Sequence, residues 1–132
     1  VLRVFASFAI VTGSLDIIAG TQVLTGGGAH LSPDVAADPV LNSQIKYLGA
    51  IWVGFGAALW WTTRDLRGRS VMLHILLGAV FLGGIGRLLS ALQFGMGPPL
   101  LTAFIVIELV GPVLVLVWRH RLVNRRLTNS GT

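Results

Sequence analysis

Three ionisable residues stand out deep within apolar stretches of this sequence: Asp16 in GSLDIIAG, Arg87 in FLGGIGRLLS and Glu108 in FIVIELVGP. A charge in hydrocarbon costs about 2.5–3.5 kcal/mol on insertion scales, so such residues turn inward, find partners and mark sites. A guanidinium presents a planar fork of donors to a carboxylate, while a carboxylate accepts from a cation or takes up a proton. Arg87 therefore has the chemistry to bridge both acids, or to hold one while the other receives a ligand. Lys46 in NSQIKYLGA is a second cation, drawn into the same site or snorkelling to the interface. Ser90 and Gln93 add neutral hydrogen-bonding groups beyond Arg87, with Thr12 and Ser14 as further polar neighbours.

Catalysis fits these residues less well. No nucleophile with an adjacent base is legible, and His30, His74 and His120 fall in three different regions without zinc-ligand spacing. GGIG lacks the preceding strand that a nucleotide fingerprint requires. The sequence thus assigns no catalytic residue, no metal ligand and no cofactor. It contains no cysteine, which removes disulfides and thiolate chemistry.

The elements that must position these charges are membrane-like. Of 132 residues, 54% are hydrophobic and only 11% charged, with a mean hydropathy of +0.80; soluble domains carry roughly 25% charged residues. Four apolar stretches, residues 2–24, 44–63, 71–94 and 100–118, each approach the roughly 20 residues that cross a bilayer. The first is too long for a signal-peptide core and carries Asp16 and Gln22, so it reads as a helix. The expectation is an all-α fold, a four-helix transmembrane bundle forming a single domain over residues 1–132.

Charge is distributed unequally between the connections. Arg3 precedes the first stretch, Arg64, Arg67 and Arg69 lie between the second and third, and Arg119, Arg121, Arg125 and Arg126 follow the fourth. The loop 25–43 holds only His30, Asp34 and Asp38, and the turn 95–99 is uncharged. The positive-inside bias places both termini and the central loop in the cytoplasm. Topology and anionic lipid together explain the net charge of +5, so no nucleic-acid partner is expected. The basic tail 119–132 reads as a membrane-surface extension.

At a rise of roughly 1.5 Å per residue, Asp16 lies about 4–5 Å outward of its span's midpoint, Arg87 about 7–8 Å outward and Glu108 within about 2 Å of it. The three share one slab. Pro112, four residues after Glu108, cannot donate the amide hydrogen that its carbonyl would otherwise accept. Small residues mark the packing faces: Ala6, Ala9, Gly13 and Gly20 in the first stretch, Gly49, Ala50, Val53, Gly56 and Ala57 in the second, and Ala79, Gly83, Gly86 and Ser90 in the third. Trp60, Trp61 and Trp118 read as an interfacial belt, with Trp52 deeper. TGGGAHLSPD ends the first stretch, and GMGPP ends the third and starts the fourth at Pro98 or Pro99.

Taken with NSQIKYLGAIWVGFGAALWW and GPPLLTAFIVIELVGPVLVLVW, the motifs GSLDIIAG and FLGGIGRLLS make the chain similar to a bacterial family of small four-helix membrane proteins, the domain of unknown function four-three-four-five. The similarity runs over nearly the whole chain. Lys46-Tyr47 stands where the family pattern has Arg-Phe. The resemblance implies a multi-pass protein of the bacterial cytoplasmic (inner) membrane and carries over no functional residue. The expected function is binding, with or without transport, of a small amphipathic or cationic ligand at Asp16, Arg87, Glu108, Lys46, Ser90 and Gln93. One alternative is a non-catalytic accessory or scaffold subunit, assembled as a homo-oligomer or within a larger membrane complex. A second is a small membrane-embedded enzyme using Glu108 in proton transfer. Membrane lipids are expected partners in every case.

Overall fold

A computed structural model describes residues 1–66 and 68–129, which are predominantly helical and contain no strand. Arg67 and the side chains of Arg125 and Arg126 lie outside the described residues. The elements are α1 (Leu2–Ala19), α2 (Gln22–Gly26), α3 (Pro33–Ala36), α4 (Pro39–Thr62), α5 (Ser70–Phe94) and α6 (Pro99–Asn129). Three segments are long and apolar enough to cross a membrane: Leu2–Ala19, Ser70–Phe94 and Pro99–Arg121. At 24 residues α4 has the length, but Asn42, Ser43, Gln44 and Lys46 dilute its first turns.

Several boundaries differ from those read in the sequence. The first stretch breaks at Gly20, whose φ of 56° is left-handed and whose α-carbon is crowded by the Asn42 amide, so no side chain fits. α4 begins at Pro39, five residues early, because Asp38 accepts from the Leu41 amide at 2.8 Å and Pro39 occupies the first helical position. Ser32 caps the short α3 in the same manner, within the stretch read as a loop. α6 starts at Pro99 and runs on through the basic tail to Asn129; hydropathy falls at the arginines, but Arg and Leu sustain a helix.

The chain divides into two compact units, Val1–Leu76 and Leu77–Thr132. In the first, α1 and α4 pack antiparallel along small residues. A Cβ at Gly49 would stand 2.6 Å from the Asp16 Cβ and 2.7 Å from the Gly13 carbonyl oxygen; one at Gly56 would stand 2.8 Å from the Ala6 carbonyl oxygen. The two backbones therefore touch where side chains are missing. Ala6, Ala9 and Gly13 are buried while Val4, Val11 and Ile18 are exposed, so bulk points outward and smallness inward.

An aromatic cluster extends this contact. Trp52 Nε1 donates to Thr12 Oγ1 at 2.8 Å, and its ring stacks on Phe55 with centroids 4.9 Å apart. Phe5 meets both rings edge-on, at 6.1 Å and 6.2 Å. Thr12→Val keeps the shape but leaves the indole N–H unpaired, and should lower stability by about 1–2 kcal/mol. Denaturant unfolding in detergent, followed by tryptophan emission, measures this; an unchanged midpoint would show the bond to be dispensable.

In the second unit, the turn after α5 uses positive φ at Gly95 (96°) and Gly97 (64°), and α6 returns antiparallel to α5. A Cβ at Gly84 would lie 3.0 Å from both the Glu108 Cβ and the Leu109 Cδ2. The stripe expected to pack on α5 does not: Gly83 and Gly86 have nothing within 4 Å of a Cβ position, and Ala79, Arg87 and Ser90 are exposed. The glycine doublet Gly83-Gly84 offers two faces of one helix, and the branched Leu109 side chain sits against Gly84.

Candidate functional site

Arg87 reaches from α5 to Glu108 on α6. Its Nε donates to Oε1 at 3.2 Å and lies 3.0 Å from Oε2, while the guanidinium carbon stands 5.6 Å from the Phe104 ring centroid. That distance is within cation–π range. Glu108 Oε2 is buried and accepts no well-aligned hydrogen bond. The carboxylate is held through one nitrogen only, and the terminal Nη groups of Arg87 make no hydrogen bond to the described residues.

The pair is not the sheltered intramembrane salt bridge expected from the sequence. The Arg87 side chain is 45% exposed and the Glu108 side chain 13%. Arg87 leaves α5 on the face that bears Gly83 and Gly86, where no described residue comes within 4 Å of a Cβ position. This division assigns roles. Glu108, largely covered and backed by Gly84, fixes the orientation of the guanidinium, and Arg87 is the group presented outward.

A cavity of ≈ 130 Å³ opens beside it, lined by Arg87, Ser90, Ala91, Met96, Leu101 and Ile105 among others. It has one charged side, one hydroxyl and otherwise apolar walls. Such a space holds a few waters or a small polar head, being smaller than the roughly 300 Å³ at which drug-sized clefts begin. Pro112, buried within α6, leaves the Glu108 carbonyl without its usual helical donor.

The other residues expected at the site have different places. Ser90 lines the cavity; Gln93 is exposed and does not. Asp16 belongs to the first unit, where its Cβ packs on Gly49 and its carbonyl accepts the Gly20 amide at 2.9 Å; it forms no ion pair with the described residues of that unit. Lys46 is exposed in the same unit, its Cε beside the Gly20 and Asn42 end of α4. His74 Nδ1 lies 2.6 Å from the Ser70 carbonyl oxygen, a local helical contact. Among the described residues no three His, Asp or Glu side chains gather to hold a metal.

Two features escaped the sequence reading. Thr12 and Trp52 were each visible as polar or deep residues, but not as partners. Trp60, Trp61 and Arg64 line an apolar groove rather than only marking an interface; the signal was WWTTRDLRGR, two tryptophans followed by three arginines.

These observations define a helical protein with segments suited to a membrane and a half-exposed, carboxylate-held arginine. The chain belongs to the family described as Domain of unknown function (DUF4345), whose profile matches residues 1–119 and so includes Asp16, Lys46, Arg87 and Glu108. No curated protein and no solved structure matches the chain.

Proposed function

We propose that the protein is a four-span integral protein of the bacterial inner membrane, one transmembrane domain with both termini cytoplasmic, which binds a small amphipathic ligand at Arg87 and retains it or passes it across the bilayer. α4 supplies the fourth span, and the arginine asymmetry between connections supports the orientation. The observation that carries the binding reading is the fixed guanidinium: Glu108 occupies Nε and leaves the Nη donors available beside the cavity at Ser90. A ligand head bearing acceptor oxygens meets those donors, and its tail meets apolar wall. A cationic head is disfavoured, because the exposed member of the pair is itself positive.

A second reading draws on the open face of α5. Ala79, Gly83 and Gly86 are small and uncovered, as they would be in an accessory subunit that packs on another helix. Native mass spectrometry of gently extracted protein separates the two. Wild type should carry a non-covalent mass that is lost in Arg87→Leu/Glu108→Leu, with the assembly state unchanged. Equal retention by the double variant overturns the binding reading, and a change of stoichiometry favours the accessory-subunit one.

A further inference from the structure

The first unit carries a second, independent feature. Ile10, Ala57, Trp60, Trp61 and Arg64 line an open, mostly apolar groove of ≈ 400 Å³, in which Ile10 and Ala57 supply the aliphatic floor and, among the described residues, the two indoles and the guanidinium supply the rest. We propose that this groove binds an anionic phospholipid, with an acyl chain along Ile10 and Ala57 and the phosphate on the Arg64 guanidinium.

The arginines around the groove have different states. Arg3 donates Nε to Thr63 Oγ1 at 3.3 Å and lies 6.0 Å from the Trp60 ring centroid. Arg69 stacks 3.6 Å from the Trp61 ring centroid and donates to the Trp61 carbonyl. Both are engaged in holding the tryptophan walls. The Arg64 amide donates to the Trp61 carbonyl at 3.3 Å, but its guanidinium makes no hydrogen bond or ion pair with the described residues, so that planar fork is available for a bidentate anion. The neighbouring acid, Asp65, turns its Oδ1 onto the Gly68 amide at 2.9 Å.

Charge complementarity selects the occupant. Arg64, Arg67 and Arg69 fall in the segment 64–69 of the sequence with Asp65 as its one acid, and the Arg3 contact with Thr63 brings a further cation to Trp60. A soluble anion would use Arg64 and waste the apolar floor; a neutral apolar molecule would use the floor and leave the guanidinium unmatched. An anionic phospholipid matches both, with Trp60 and Trp61 at the level where amphipathic rings meet headgroups.

The test uses the whole chain in nanodiscs of equal phosphatidylglycerol and phosphatidylcholine, gently extracted and weighed by native mass spectrometry. Wild type should retain phosphatidylglycerol about ten-fold over phosphatidylcholine, and Arg64→Met should bring the ratio to near parity, as expected for losing one charge-assisted contact. Ala57→Leu fills the floor with every arginine in place and should reduce lipid retention to a similar extent. Arg121→Gln removes a charge from the second unit and should leave the ratio unchanged. Absence of headgroup preference in wild type, an unaltered ratio in Arg64→Met, or an equal loss in Arg121→Gln overturns the proposal, the last by revealing diffuse attraction. Preferential retention of a free fatty acid also overturns it. The Arg87→Leu/Glu108→Leu variant should keep the phosphatidylglycerol preference, so this result stands apart from the ligand at Arg87.

Discussion

Arg87→Leu should destabilise the protein by about 2–3 kcal/mol, and adding Glu108→Leu should recover most of that loss. The reason lies in the asymmetry of breaking a charge pair. Removing one member strands the other, a cost of about 3–5 kcal/mol when both are fully buried, whereas replacing both with apolar groups of similar shape is often neutral or favourable. Here the arginine is 45% exposed and the glutamate 13%, which places the single-variant cost below that range. Among the described residues Glu108 has no alternative donor: its Oε2 is buried without an aligned partner, and Gly84 presents only backbone. Unfolding by denaturant in a fixed detergent, with helicity followed by circular dichroism, gives the three midpoints. If the double variant is as unstable as the single, the pair contributes more than mutual compensation, and the positioning role assigned to Glu108 fails.

Gly49→Ala should cost about 1–3 kcal/mol, while Gly54→Ala on the same helix should stay within about 0.5 kcal/mol of wild type. The two substitutions are chemically identical. They differ in what the new methyl meets. At Gly49 it would lie 2.6 Å from the Asp16 Cβ and 2.7 Å from the Gly13 carbonyl oxygen, with the Ile17 amide at 3.1 Å; at Gly54 nothing lies within 4 Å. Backbone atoms cannot rotate aside, so α1 and α4 must separate along their crossing, weakening the Trp52–Thr12 bond as well. Paired unfolding curves decide the matter: equal midpoints would mean that the close approach of these helices carries no stability.

The face of α1 was legible because Ala6, Ala9 and Gly13 form one stripe with no competing alternative, and burial follows it. α5 was misread for the opposite reason. Gly78, Gly83, Gly84 and Gly86 spread small residues over more than one face, and the choice falls to Glu108 and Leu109 on α6, which no local pattern encodes. The pairing of Arg87 with Glu108 followed from depth and charge, since both lie near one level of an antiparallel hairpin. Its exposure did not follow, because enclosure depends on neighbours and not on the residues enclosed. Asp38-Pro39 and Ser32-Pro33 are capping signals that hydropathy overshadowed. The break at Gly20 is a left-handed turn packed against Asn42, distant in sequence, so a reading of the first stretch alone runs past it.

The outward bulk and inward smallness of α1 bear on how this molecule responds to temperature. In the four-span arrangement proposed above, the surfaces vacated when α1 leaves α4 are taken up by acyl chains and not by water, so the hydration of apolar groups that gives soluble proteins their large unfolding heat capacity is absent. The free energy of that separation then changes almost linearly on heating, without the dome that makes water-soluble domains vulnerable to cold. What holds the pair together is then the close fit of two backbones, the Trp52–Thr12 bond and the aromatic rings beside it.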